Sequence, residues 1–147
     1  MSKSNIGQRG KAAEKEVDKV LRQLNNRSDF AYWRLPDARA ARGFLAAQPG
    51  DFCYFTVKDG SFCGGIIEVK ETEHEFRIAK DKISQLATLH KFEWAGANSI
   101  IVIHHSIEDV WRAFKPSDLE IGPPSWDLRC FPAHTTVSAA LKSMGYF

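Results

Sequence analysis

Glu68 and Lys70 stand on either side of Val69 at the end of an apolar run, and Asp51 heads the apolar stretch before it. Side chains alternate across a β-strand, so in Glu68-Val69-Lys70 the carboxylate and the ammonium share one face while Val69 turns into the core. An ionised group emerging from apolar surroundings is costly unless it is paired or binds a metal. If Asp51 begins the neighbouring strand, it brings a second carboxylate beside Glu68. Asp51, Glu68 and the Val69 backbone carbonyl then make a hard oxygen site of the kind Mg²⁺ or Mn²⁺ prefers. Such a site suits phosphodiester hydrolysis: the ion lowers the pKa of a bound water and neutralises charge developing on phosphate oxygens, while Lys70 orients the attacking water or steadies the phosphate. Glu14, further upstream, is placed either to complete the metal shell or to hold Lys70. Taken alone, Glu-x-Lys is also a common exposed ion pair of little consequence.

The elements around these residues follow from local pattern. Val17, Val20, Leu21 and Leu24 recur at helical spacing and predict an amphipathic helix from Gly10 to about Asn25. Phe30 to Leu35 reads as a strand ended by Pro36. Asp51 to Val57 and Ser61 to Lys70 read as two strands joined through Lys58-Asp59-Gly60, a β-hairpin. Ile83, Leu86, Ala87, His90 and Trp94 fall at helical intervals before Gly96, a natural helix stop. Ser99 to His104 is a strand of the type buried on both faces. Val110 to Phe114 adds a further strand, Pro116 to Glu120 a short helical turn, and Thr136 to Met144 a terminal helix stopped by Gly145. The order helix, three strands, helix, strand predicts an α/β domain with a central mixed sheet flanked by helices.

At 147 residues and 44% hydrophobic content the chain predicts one domain, residues 1–147. No apolar run approaches the length of a membrane span and no leader pattern opens the chain, so the expectation is a cytoplasmic protein without membrane attachment. Cys53, Cys63 and Cys130 form no CxxC pair, and His74, His90 and Cys130 show no zinc-ligand spacing, which argues against a disulfide framework or a zinc site. His104 and His105, at the end of an apolar strand, are expected in ordinary packing or surface roles. The net charge of +2 is uninformative, but residues 1–50 hold ten Lys or Arg against five acids. Arg9, Lys11, Lys15, Arg34, Arg39 and Arg42 are therefore candidates for a phosphate-binding surface.

Several local motifs point one way when taken in order: Gly10-Lys11-Ala12-Ala13-Glu14-Lys15, Gln48-Pro49-Gly50-Asp51, Ile67-Glu68-Val69-Lys70-Glu71-Thr72, Gln85-Leu86 and the strand Ile100 to Ile103. Together they resemble the PD-(D/E)xK nuclease superfamily, and within it the RecU-type and archaeal-type Holliday-junction resolvases, over about residues 7 to 119. The resemblance implies a restriction-endonuclease-like core of order αβββαβ and a magnesium-dependent endonuclease acting on branched DNA such as four-way junctions. It implies a metal-linked or structural role for Glu14 and a water- or phosphate-orienting role for Gln85. It also implies a homodimer, since paired cuts need two sites related by a two-fold axis; Phe92, Trp94, Trp111, Trp126, Tyr146 and Phe147 are the candidates for its face. In RecU-type enzymes an excursion before the catalytic aspartate forms a stalk, and residues 36–48 occupy that place in shortened form, with Arg39, Arg42 and Phe44 as candidate DNA contacts.

One departure from the pattern is that Gly50 separates Pro49 from Asp51, whereas a literal Pro-Asp occurs at Pro36-Asp37. Asp51 is preferred because it opens the strand that turns directly into Glu68, and Asp37 is kept as its competitor. Two other functions fit the same residues less well: a flap, nick or restriction-type nuclease of the superfamily, and a non-catalytic DNA-binding protein on the same fold. A sequence-reading enzyme would normally carry more recognition apparatus than this length allows, and a dead site need not keep Asp51, Glu68 and Lys70 together. A bacterial, archaeal or phage-infected cell is the expected setting.

Overall fold

The computed structural model describes residues 3–37 and 46–147, with side chains from residue 10 onward. The amphipathic pattern becomes helix α1, Lys3–Leu24, which begins a turn and more before the predicted Gly10. Ala13, Val17, Val20 and Leu21 form its buried stripe. Strands β1 (Phe30–Arg34), β2 (Phe52–Lys58) and β3 (Ser61–Thr72) follow as an antiparallel meander. Lys58 pairs with Ser61 across a two-residue turn, and Asp59 (φ 52°) and Gly60 (φ 78°) supply the two left-handed residues such a turn requires.

Beyond β3 the chain makes the short strand β4 (Arg77–Ala79), a single 3₁₀ turn (Lys80–Lys82) and helix α2 (Leu86–Trp94). Ile83 thus precedes the helix rather than beginning it. Gly96, at φ 102°, ends the segment as expected. The return strand β5 (Ile100–His105) pairs in parallel with β3, a pairing only a crossover can make. Strand β6 (Val110–Phe114) completes the sheet, a second 3₁₀ turn covers Pro116–Asp118, β7 (Ser125–Asp127) pairs with β4, and α3 (Val137–Ser143) closes the fold. The five-stranded sheet has the order β1-β2-β3-β5-β6, mixed as predicted and flanked by the three helices. The β4–β7 ribbon was not expected.

Two apolar layers sandwich the sheet. On one face Ile67, Val69, Ile100 and Val102 pack with the stripe of α1 and with Val137, Ala140 and Leu141 of α3. On the other, Ile66, Ile101 and Ile103 pack with Leu86 and Leu89 of α2 and with Ile78, Trp126 and Leu128 around the ribbon. Full burial of each such side chain contributes about 1.5–3 kcal/mol. Alternation along β3 therefore sends Val69 to the α1 layer, and Glu68 and Lys70 to the α2 layer beside Ile101 and Ile103. Among the described residues no helix is long and apolar enough to cross a membrane.

Candidate active site

Asp51 stands one residue before β2, where the ladder between β2 and β3 ends. Its N–H donates to Ile67 O (2.9 Å), its carbonyl accepts from Leu35 N (2.8 Å), and its Oδ2 accepts from Val69 N (2.7 Å). The side chain thus takes the place of the next backbone acceptor along β3. A residue's N–H and C=O leave the strand on the same side, so the Val69 carbonyl faces the Asp51 edge of β3 and not β5.

Gly50 accounts for the departure from Pro-Asp. A Cβ there would collide with Ile66 Cγ2 and would lie 3.1 Å from Ile67 O and 3.3 Å from Glu68 Oε2. Only a residue without a side chain lets the backbone lie this close over Glu68.

Glu68 is the most unusual group in the molecule. Its side chain is 1% exposed, and neither carboxylate oxygen has a hydrogen bond of acceptable geometry among the described residues. The Lys70 ammonium lies against Oε1 as an ion pair, and Lys70 itself is 25% exposed. Burial first, and then the Asp51 carboxylate, push the Glu68 carboxyl up to about 7 against the opposing pull of Lys70. Burial also raises Asp51, with the Val69 N–H, Lys70 and Arg34 opposing it and Asp37 adding to it.

Asp51 and Lys70 open into a cleft of about 670 Å³ that is also lined by Lys11, Glu14, Arg34, Asp37 and Gln85. Glu14 reaches it from α1 and accepts from Arg34 at 2.7 Å. Burial and then Asp51 raise its carboxyl, against Arg34 and Lys70. Its direct partner is thus Arg34, neither Lys70 nor a cluster of acids: no group of three or more His, Cys, Asp or Glu able to hold a metal forms among the described residues. Gln85 sits at the N-cap of α2 rather than within it, and its Oε1 accepts from Ser84 (3.1 Å). Asp37 and Asp51 line the same cleft, and Asp51 is bonded to β3 through Val69 N and acts on Glu68.

The basic candidates divide. Lys11 and Arg34 face the cleft, and Lys15 is exposed on α1. The Arg9 side chain, Arg39, Arg42 and Phe44 lie outside the described residues, as does most of the expected stalk. Further along α1, Lys19 and Arg22 pair with Glu16 and Asp18, so that stretch is a solvated helix face. Sequence reasoning missed Asp81, Lys82 and Ser84 on the cleft wall; nothing in their local pattern distinguishes them. The histidines pack conventionally: His90 reaches Leu119 O, and His105 is buried with Nδ1 on His74 O.

A carboxylate fixed by a backbone amide, a second one buried against Lys70 and a carbonyl on the same edge are oxygen donors of the type a divalent cation takes. The residues fit Mg²⁺ or Mn²⁺ in type, and Glu68 Oε2, which has no hydrogen-bond partner among the described residues, is the atom such an ion would satisfy.

No family model matches the chain, and no curated protein matches it. Among solved structures it is similar to Archaeoglobus fulgidus Hjc, a Holliday junction resolvase from an archaeal hyperthermophile, at 18% identity and a TM-score of 0.53, over 95% of this chain and 98% of that one. The chain has the restriction-endonuclease-like α/β fold of that archaeal resolvase. The resemblance drawn from the motifs thus holds at the level of fold.

Proposed function

We propose that the protein is a divalent-metal-dependent DNA endonuclease of the resolvase type, acting on branched DNA such as four-way junctions. The observation that carries the proposal is Glu68: a buried carboxylate whose one partner among the described residues is the Lys70 ammonium on Oε1, beside Asp51 and under an open polar cleft. A site that served only stability would have replaced or fully paired that charge.

In this reading Asp51, Glu68 and the Val69 carbonyl hold one Mg²⁺ or Mn²⁺. When bound, the ion neutralises charge on the scissile phosphate and makes a water more acidic. Lys70, paired with Glu68 at the cleft floor, would steady the attacking water. Gln85 and Lys11 position the strand from the cleft walls. Arg34, held by Glu14, offers a fixed cation to a neighbouring phosphate. Around the cleft Lys11, Arg34, Lys70 and Lys82 are set against Glu14, Asp37, Asp51 and Asp81, with Glu68 beneath. The two signs balance along the cleft walls, so a bound divalent cation would tip the cleft toward attracting DNA phosphates.

A synthetic four-way junction tests this. Paired nicks with Mg²⁺, binding without cutting with Ca²⁺, and no cutting by Asp51→Asn are expected. Cutting of linear duplex or flaps alone would move the reading to another nuclease of this fold, and binding without cutting under every condition would leave a DNA-binding protein.

Paired cutting calls for a homodimer, and the sheet offers a face for it. Trp33 (70% exposed), Phe55, Val57 and Phe62 (71%) lie together on the α2 side of β1–β3 by strand register, with Phe55 and Phe62 in ring contact at 5.9 Å. A contiguous apolar patch of this kind is characteristic of an interface. Trp111 and Trp126, expected as candidates, are core residues, and Phe147 packs on Phe30 and Tyr54. Light scattering is expected to give a dimer for the parent and a folded monomer for Trp33→Glu/Phe62→Glu.

A further inference from the structure

Beside the cleft lies a second cavity, of about 470 Å³, of different character. Its walls are Ile83, Leu86, Ala87, Ile121, Pro124 and Trp126, with Lys80 at the rim, and Asp81 and Ser84 line both cavities. The two are therefore separated by a single layer of side chains. The apolar cavity is built rather than incidental. Trp126 is fixed by pairing with Ile78 and by its indole N–H donating to Glu120 O (2.8 Å), and the Lys80 N–H donates to Pro124 O (2.9 Å).

We infer that this cavity receives one unstacked nucleobase of the DNA strand whose phosphate occupies the catalytic cleft. The inference rests on the nuclease reading above and gives its substrate a second anchor. The chemistry matches on both sides. A base has flat apolar faces suited to the exposed Ala87, Ile121 and Pro124 over a buried floor of Ile83, Leu86 and Trp126, and a sugar-phosphate backbone that Lys80 and Lys82 can follow from one cavity to the other. Extruding a base costs a few kcal/mol in intact duplex and least where pairing is already broken. A pocket for an unpaired base thus selects branch points over continuous duplex without reading sequence. It also places the phosphate next to that base in the cleft, and so sets where the cut falls relative to the branch.

The test uses four-way junctions carrying a single 5-iodouracil at successive positions around the branch, bound to the full chain in Ca²⁺ and irradiated. One position adjacent to the branch is expected to crosslink to the peptide containing Trp126. Ala87→Leu, which adds a side chain to the exposed wall on α2, is expected to lower that yield and kcat by about ten-fold, with an unchanged melting temperature. If the parent cuts junctions in Mg²⁺ but no position crosslinks at Trp126, or Ala87→Leu cuts at the parental rate, the pocket proposal is overturned while the nuclease reading stands. If the parent neither binds nor cuts branched DNA, both are overturned.

Discussion

Strand β3 carries two acidic residues three positions apart with opposite fates. Glu71 faces the α1 layer, where its Oε2 meets His104 Nδ1 (3.2 Å), and the other ring nitrogen of that histidine meets Asp109 (2.9 Å) while the ring stacks on Trp111 at 4.3 Å. Glu68, facing the other way, has one ammonium against Oε1 and no hydrogen-bond partner for Oε2 among the described residues. Both come from the same strand and similar apolar surroundings. The first is a finished polar network of the kind that holds a fold together. The second is left open, and the cost of leaving it open is the mark of a group kept for a ligand.

Breaking the two sides of this comparison separates them most sharply in activity. Glu68→Gln is expected to reduce Mg²⁺-dependent junction cleavage by at least about 10²–10³-fold. In the metal-free state it is expected to raise the thermal midpoint at pH 8 by roughly 3–8 °C, since it removes a buried charge whose burial and proximity to Asp51 outweigh the pull of Lys70. Glu71→Gln should do the reverse: cleavage within a few-fold of the parent, and a loss of about 1–2 kcal/mol in denaturant unfolding. A Glu68→Gln protein that cut normally would place the chemistry elsewhere.

Gly50→Ala comes next. Its Cβ presses on Ile66 and on the approach to Glu68, so about 10–100-fold weaker Mg²⁺ affinity is expected by calorimetry. The strain should also lower stability by about 1–3 kcal/mol.

The smallest effect is in pH dependence. Glu68 is raised from 4.5 to about 7, so its contribution to stability is complete below the unfolded value and is lost as pH rises through about 7. Asp51 and Glu14 are raised and act with the same sign. His105, lowered by burial, acts oppositely: its contribution is present above its unfolded value and fades as pH falls through its folded one. Melting in EDTA is therefore expected to show a midpoint that falls as pH rises from about 4.5 to about 7 and levels off above that. Glu68→Gln should flatten that fall, and the gain on adding Mg²⁺ should grow with pH. A flat EDTA profile for the parent would sink this account of Glu68.

The legible parts of the molecule are those whose pattern is local. Alternation around Val69, the Asp59-Gly60 turn, the doubly buried run from Ile100 and the stop at Gly96 each declare themselves within a few residues. The ribbon of β4 and β7 does not, because its three-residue strands are held by partners about fifty positions away, such as Arg77 and Ser125 (3.0 Å). The same ribbon breaks the helical spacing around Ile83 and draws Trp126 inward. At the site, the pairing of Glu68 with Lys70 could be read from spacing. The partnership of Glu14 with Arg34, the presence of Asp37 in the same cleft as Asp51, and the tight approach that requires Gly50 are products of tertiary packing and leave no signature along the chain.

The bond from Val69 N to Asp51 Oδ2 ties the cleft to one alignment of the hairpin. Were β3 to slip by a single residue against β2, Val69 would turn toward the cleft, and Glu68 and Lys70 would be driven into the greasy layer under α1. Such a chain would be unstable and would lack the carboxylate and ammonium that Glu68 and Lys70 bring to the cleft. On the proposed nuclease reading, correct strand alignment would act as a safety catch: a misaligned copy would lack the groups with which to cut, and the capacity to cut would arrive only with the finished fold.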